Sequence, residues 1–145
     1  MLQTTVSHSD LVTASAFDVR NAIRRGSYTG HTAGLATGKL QCNLAILPQQ
    51  FALDFLRFCL RNPKPCPIVG VGDSGDPSLP TLGHNIDIRT DVPKYRVFRH
   101  GMLSEEVTDI WNTWDDDLVR VALGCSFSFE NALLRSGRPG RQVES

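Results

Sequence analysis

The stretch Leu123-Gly124-Cys125-Ser126-Phe127-Ser128-Phe129-Glu130 crowds a glycine, a thiol, two hydroxyls and a carboxylate into one short run. If a helix opens there, its first turn leaves backbone N–H groups unpaired and carries the positive end of the macrodipole, an arrangement that holds a carboxylate or phosphate. Ser126 or Ser128 would cap that turn. The same residues also read as plain caps, with Glu130 complementing the dipole and the two phenylalanines in the core. Sequence alone leaves both readings open.

A second chemistry-bearing run is Gly30-His31-Thr32-Ala33-Gly34-Leu35-Ala36-Thr37-Gly38. A loop this rich in glycine brings backbone close to a ligand or to a neighbouring strand. It contains neither GxGxxG nor a P-loop lysine, so spacing does not choose between the two. Asp115, Asp116 and Asp117 read as capping and solvation, since a metal site would need further ligands from elsewhere. Cys42, Cys59, Cys66 and Cys125 form no CxxC pair and stand at no ligand spacing from His8, His31, His84 or His100. They read as free, mostly buried thiols in a reducing compartment, with no metal site.

Several elements would position these residues. The apolar positions Leu11, Val12, Ala16, Val19, Ala22 and Ile23 recur at three and four, predicting one helix over 9–25 with Ser9 as cap and Gly26 as stop. Residues 41–47 read as a strand. Pro48 then starts a helix whose Phe51, Ala52, Phe55, Leu56, Phe58 and Cys59 make a wide apolar face up to Asn62. The prolines of Asn62-Pro63-Lys64-Pro65-Cys66-Pro67 impose an extended path into a short strand, Ile68-Val69-Gly70-Val71, and the crossover is long enough for two parallel strands. Residues 72–87 read as a surface loop or a crossing into a smaller subdomain. Residues 91–108 read as a hairpin turning at His100-Gly101. Trp111, Trp114, Leu118, Val121 and Ala122 have helical spacing and predict a helix over 111–123, ended by Gly124. A last helix runs through Leu134, and 141–145 look like the start of a strand. The fold class is α/β, a mixed sheet with flanking helices plus a smaller two-layer α+β part containing the hairpin. Residues 76–110 are the candidate subdomain of a single, incomplete unit spanning 1–145.

With 145 residues, 41% hydrophobic and 21% charged, the chain is about one ordinary globular domain. Fifteen basic residues balance fifteen acidic ones with no dense positive run, which argues against nucleic acid as a partner. No stretch approaches a membrane span, and Met1 to Asp10 has no basic start or apolar run, so a cytoplasmic protein is expected.

The blocks Thr32-Ala33-Gly34-Leu35-Ala36, Gln41 with Asn43-Leu44 and Ile46-Leu47-Pro48, Phe58-Cys59 with Arg61-Asn62-Pro63-Lys64-Pro65-Cys66-Pro67, and Gly75-Asp76-Pro77 closely resemble, in order, a bacterial hydro-lyase family related to D-glutamate cyclase. The resemblance continues through Ile88-Arg89-Thr90-Asp91-Val92-Pro93-Lys94-Tyr95-Arg96-Val97, Glu106-Val107-Thr108-Asp109-Ile110 and the 123–130 run. It implies a hydro-lyase that closes D-glutamate to 5-oxo-D-proline with loss of water. Family members are roughly twice this length, so the chain resembles their amino-terminal half. Cys42 stands where the family usually has a small residue, which marks it as packing.

Lactam closure joins an amine and a carboxylate already tethered in one molecule, so positioning supplies much of the acceleration and no cofactor is required. The site must bind the α-carboxylate, stabilise a developing oxyanion and move protons. On that inventory Ser126 and Ser128 are candidate carboxylate binders and Glu130 the candidate proton shuttle, if burial raises its pKa. Cys125 would have to make a thioester from an unactivated carboxylate, so it reads as a small buried residue or weak donor. Arg89 and Arg96 are candidates for charge pairing with substrate, or else pair with Asp87 and Asp91. Thr32 and Asn43 are candidates to line the same cleft, and His31 reads as solvated. The expected ligand is a small amino-dicarboxylic acid or its lactam, and a homo-oligomer is open. A non-catalytic carboxylate-binding module and an inactive truncated family member are the alternatives.

Overall fold

A computed structural model describes residues 4–125. Ser126, Ser128 and Glu130, together with the last helix and strand expected from sequence, lie outside the described residues.

In place of the single helix expected over 9–25 there are two, α1 (His8–Leu11) and α2 (Ala16–Arg24). Ser7 rather than Ser9 caps the first, its hydroxyl accepting from the Asp10 N–H while Asp10 accepts from the Ser7 N–H. The break has a tertiary cause. Ala36 N–H donates to the Leu11 carbonyl at 3.1 Å and Thr37 N–H to the Val12 carbonyl at 2.9 Å, so the glycine-rich loop takes acceptors that a continuous helix would use internally. Ser15 restarts the helix by accepting from the Asp18 N–H at 3.0 Å. The α2 end follows the sequence expectation, with Gly26 N–H bonding Ile23 O and Ser27 N–H bonding Ala22 O.

Strand β1 (Cys42–Pro48) leads directly into α3 (Gln49–Arg61), and β2 (Ile68–Val71) follows the proline run. After a long irregular segment come β3 (Tyr95–Arg99), β4 (Met102–Val107) and β5 (Leu118–Gly124). The main sheet has the order β1-β5-β2. Both outer strands pair antiparallel with β5, Cys42 opposite Gly124 and Ile68 opposite Leu123. Strands β1 and β2 therefore run in the same direction, as the crossover predicted, but with β5 inserted between them.

That insertion corrects the helix expected over 111–123. Val121 and Ala122 are completely buried in the central strand, and a strand covered on both faces loses the alternation that marks a half-exposed one. Its apolar run then matches a helical template as well as a strand. Asp115 forms a local turn instead of a cap, accepting the Asp117 N–H at 2.8 Å. The hairpin is as expected. Its β3–β4 pairing closes on His100 (φ 53°) and Gly101 (φ 76°), the two left-handed residues that a tight hairpin turn requires.

The expected wide apolar face of α3 is only partly covered. Ala52 and Cys59 are buried, whereas Phe51 and Phe58 are 54% and 56% exposed. Each phenylalanine precedes a buried residue and so sits roughly 100° round the helix from the stripe that meets the narrow sheet. Two apolar clusters form the core: α1 and α2 against Tyr28, Leu35 and Ala36, and the sheet face around Ala122 against Leu79, Ile88, Tyr95 and Ile110. The candidate 76–110 segment thus contributes Leu79, Ile88 and Tyr95 to the same cluster as the sheet.

Candidate functional site

Strand β1 and the segment entering β3 border a shared space. Cys42, Asn43, Leu44 and Ile46 line it from β1, and residues 92–96 with Phe98 from the other side. The glycine-rich loop closes a third side with Thr29, His31 and Thr32. The result is a cleft of about 970 Å³ whose lining includes the candidates Thr32, Asn43 and Arg96. Among the described residues no acidic side chain lines it, while Lys94 and Arg96 do.

The loop is held in place by named contacts. Tyr28 donates to the His31 carbonyl at 2.6 Å, His8 Nε2 lies 2.8 Å from the Ala33 carbonyl, and the Thr37 hydroxyl donates to the Val12 carbonyl at 2.8 Å. Tyr95 at the floor donates to the Ile88 carbonyl at 2.5 Å, and burial raises its phenol well above the ordinary range, so it stays protonated. Burial, and then the neighbouring Cys125, push the Cys42 thiol up. A thiol so placed is a packing group or weak donor, not a thiolate. The chain leaves β5 at Cys125, whose N–H donates to the Gln41 carbonyl at 3.3 Å, next to this cleft.

The two candidate arginines part company. Arg96 is at the cleft and exposed, with Nε 3.1 Å from Glu106 on β4. Arg89 is turned to other work: it grips Asp87 through two hydrogen bonds of 2.9 and 2.8 Å and lies 4.2 Å over the Trp111 ring. Asp91 is taken by Arg24 of α2, at 2.8 and 2.7 Å, and also accepts the Asp87 N–H and the Thr90 hydroxyl. This clamp ties α2 to the segment that leads into the cleft. Lys94 was missed in the sequence reading, although its two-residue spacing from Arg96 in β-rich sequence is the signal that puts both on one face.

No family model matches the chain. Curated relatives do, and the three described here are named as putative hydro-lyases. One from Jannaschia sp. is 68% identical over 132 residues, covering 91% of this chain and 50% of the relative. One from Ruegeria pomeroyi is 58% identical, covering 91% of this chain and 48% of the relative. One from Bordetella petrii is 55% identical, with 90% and 49% covered. The chain belongs to this hydro-lyase family. It spans about half the length of the curated relatives it matches.

A further feature of this family member escaped sequence reasoning. Arg120, in the middle of β5, is 1% exposed and donates to the Ser78 carbonyl at 2.6 Å, the Asp73 carbonyl at 2.7 Å and the Asp76 carboxylate at 3.3 Å. It pins the Gly75-Asp76-Pro77 segment to the sheet. Asp76 also accepts the N–H and hydroxyl of Ser78, and these bonds, with Arg120, hold its carboxyl below the usual range. Among the described residues, no helix is long and apolar enough to cross a membrane.

Proposed function

We propose that this chain forms the substrate-holding part of a hydro-lyase that closes D-glutamate to 5-oxo-D-proline with release of water. The observation that supports this most is the cleft, which offers Lys94 and Arg96, the Thr32 hydroxyl and the Asn43 amide, with no carboxylate among its described lining. An amino acid with two carboxylates and a net negative charge is attracted by such a lining and a cationic ligand is not. The names of the relatives supply the reaction class.

In the closure, the ammonium of D-glutamate loses a proton and the amine attacks the γ-carboxyl carbon. The carbon–nitrogen bond forms, the nitrogen gives up a second proton, the oxyanion collapses, and one γ-oxygen leaves as water carrying the two protons the nitrogen has lost. Arg96 and Lys94 hold carboxylate charge, and Thr32 and Asn43 donate to carboxylate oxygens. Glu130 carries the proton. The ring closes within one molecule, so orientation by the cleft accounts for much of the rate and no cofactor enters. The setting is the cytosol, where the four cysteines, all free thiols, stay reduced.

The test incubates the protein separately with D-glutamate, L-glutamate and 5-oxoproline and follows ring closure and opening by NMR. Stereoselective turnover is the expected result. Arg96→Gln together with Lys94→Gln should raise KM for D-glutamate by about tenfold or more, as loss of charge-assisted hydrogen bonds implies. Unchanged kinetics in that double variant would remove the cleft from the reaction. Glu130→Gln should abolish turnover while leaving D-glutamate binding nearly intact. Binding without turnover in the unaltered protein would replace the lyase reading with a small-carboxylate-binding module.

A further inference from the structure

Behind the cleft lies a second cavity, of about 260 Å³, with a different character. Its walls are aliphatic, from Ile23, Leu35, Leu44, Leu79, Leu82 and Ile88, and it lies between the two apolar clusters of the core. An engineered apolar cavity of roughly 150 Å³ stays dry and takes up benzene, so a space of this size and lining suits a hydrocarbon group.

The polar groups on its lining are as informative as the apolar ones. Arg20 and Lys39 line it, and so does Asp91. Asp91 is already neutralised by the two-pronged bond from Arg24. Arg20 donates from Nη2 to the His84 carbonyl at 3.0 Å, but its Nε is buried without a hydrogen-bond partner. A buried donor left unpaired is costly, and an acceptor carried in by a ligand removes that cost.

We propose that this cavity is a binding site for a monocarboxylate with an apolar tail of about six to eight carbons, the tail among the aliphatic side chains and the carboxylate at Arg20 and Lys39. The site is separate from the dicarboxylate cleft, but the two share Thr32, Cys42, Leu44 and Val92 as a common wall. It does not depend on the lyase reading.

Isothermal titration of the purified chain with octanoate, octanol, acetate and glutarate tests the assignment. Octanoate should bind at least about tenfold more tightly than acetate, from burial of its tail, and more tightly than octanol, from its charge. Arg20→Met should bring octanoate down to the level of octanol. Ala16→Phe, which fills the cavity from the start of α2, should abolish octanoate binding, and Leu40→Glu, on an exposed part of the lining, should do the same without threatening the fold. Glutarate reports on the cleft alone, so its failure bears on the proposed function and not on this site. No octanoate binding, octanol equal to octanoate, or octanoate affinity unchanged in both Ala16→Phe and Leu40→Glu would overturn the proposal.

Discussion

Arg120 and Gly72 are coupled by space. A Cβ at Gly72 would fall 1.5 Å from the Arg120 Cζ, so any larger residue there must expel the guanidinium. We expect Arg120→Met to cost about 2 to 4 kcal/mol, since it leaves two carbonyls and a carboxylate without their donor. Gly72→Ala should cost a similar amount through the same bonds, and the double variant much less than the sum, measured by urea unfolding. The carboxyls make a second prediction. Hydrogen bonds from Ser78, followed by Arg120, lower the Asp76 pKa; burial pushes Asp87 up, but Arg89 more than offsets it and leaves that carboxyl below its usual value. Both groups therefore bind protons less readily in the folded chain than in the unfolded one. The stability they add is complete above the unfolded value of 3.8 and is lost as pH falls through the folded values. The urea midpoint should fall steeply below about pH 4, and Asp76→Asn should flatten that fall. None of this was legible in sequence, where Arg120 stands as one charge in an apolar run and only the third dimension supplies its three acceptors.

At the scale of elements, the hairpin was legible because everything that defines it is local. Residues with β preference flank His100-Gly101, and the turn needs only that pair. Gly101 has φ 76°, and a Cβ placed there would meet no atom within 4 Å, so Gly101→Ala makes no clash and its cost is purely that of the left-handed backbone. We expect about 1 kcal/mol, with faster hydrogen exchange confined to β3 and β4. Strand β5 is the opposite case. Its neighbours β1 and β2 lie about 70 and 50 residues earlier in the chain, and it is they, not its own periodicity, that make it a strand. The α1–α2 break is of the same kind, since backbone donors from Ala36 and Thr37 create it. Of the candidate residues, Thr32, Asn43 and Arg96 line one cleft, while Arg89 bonds Asp87, the local partner that the sequence offered as its alternative.

For the whole molecule, the apolar flanks of α3 have a consequence. Phe51 and Phe58 on one flank and Leu53 and Leu60 on the other are exposed, and large apolar side chains clustered on a helix surface mark an interaction site. We expect concentration-dependent association in sizing experiments, and Phe58→Glu should shift the population toward monomer with little change in unfolding midpoint. An unaltered elution profile in that variant would rule out the Phe51 and Phe58 flank of α3 as the contact. By itself the sequence determined the family, the α/β class, the hairpin, the proline-bounded strand–helix–strand run and the glycine loop, because each rests on local backbone preference or on motifs in linear order. Only the tertiary structure decided that β5 fills the middle of the sheet, that Lys94 joins Arg96 at one cleft, that Arg24 rather than Arg96 takes Asp91, and that Arg120 is buried. Those outcomes depend on which distant groups compete for the same hydrogen bonds and the same buried volume, and that competition exists only once the chain is folded.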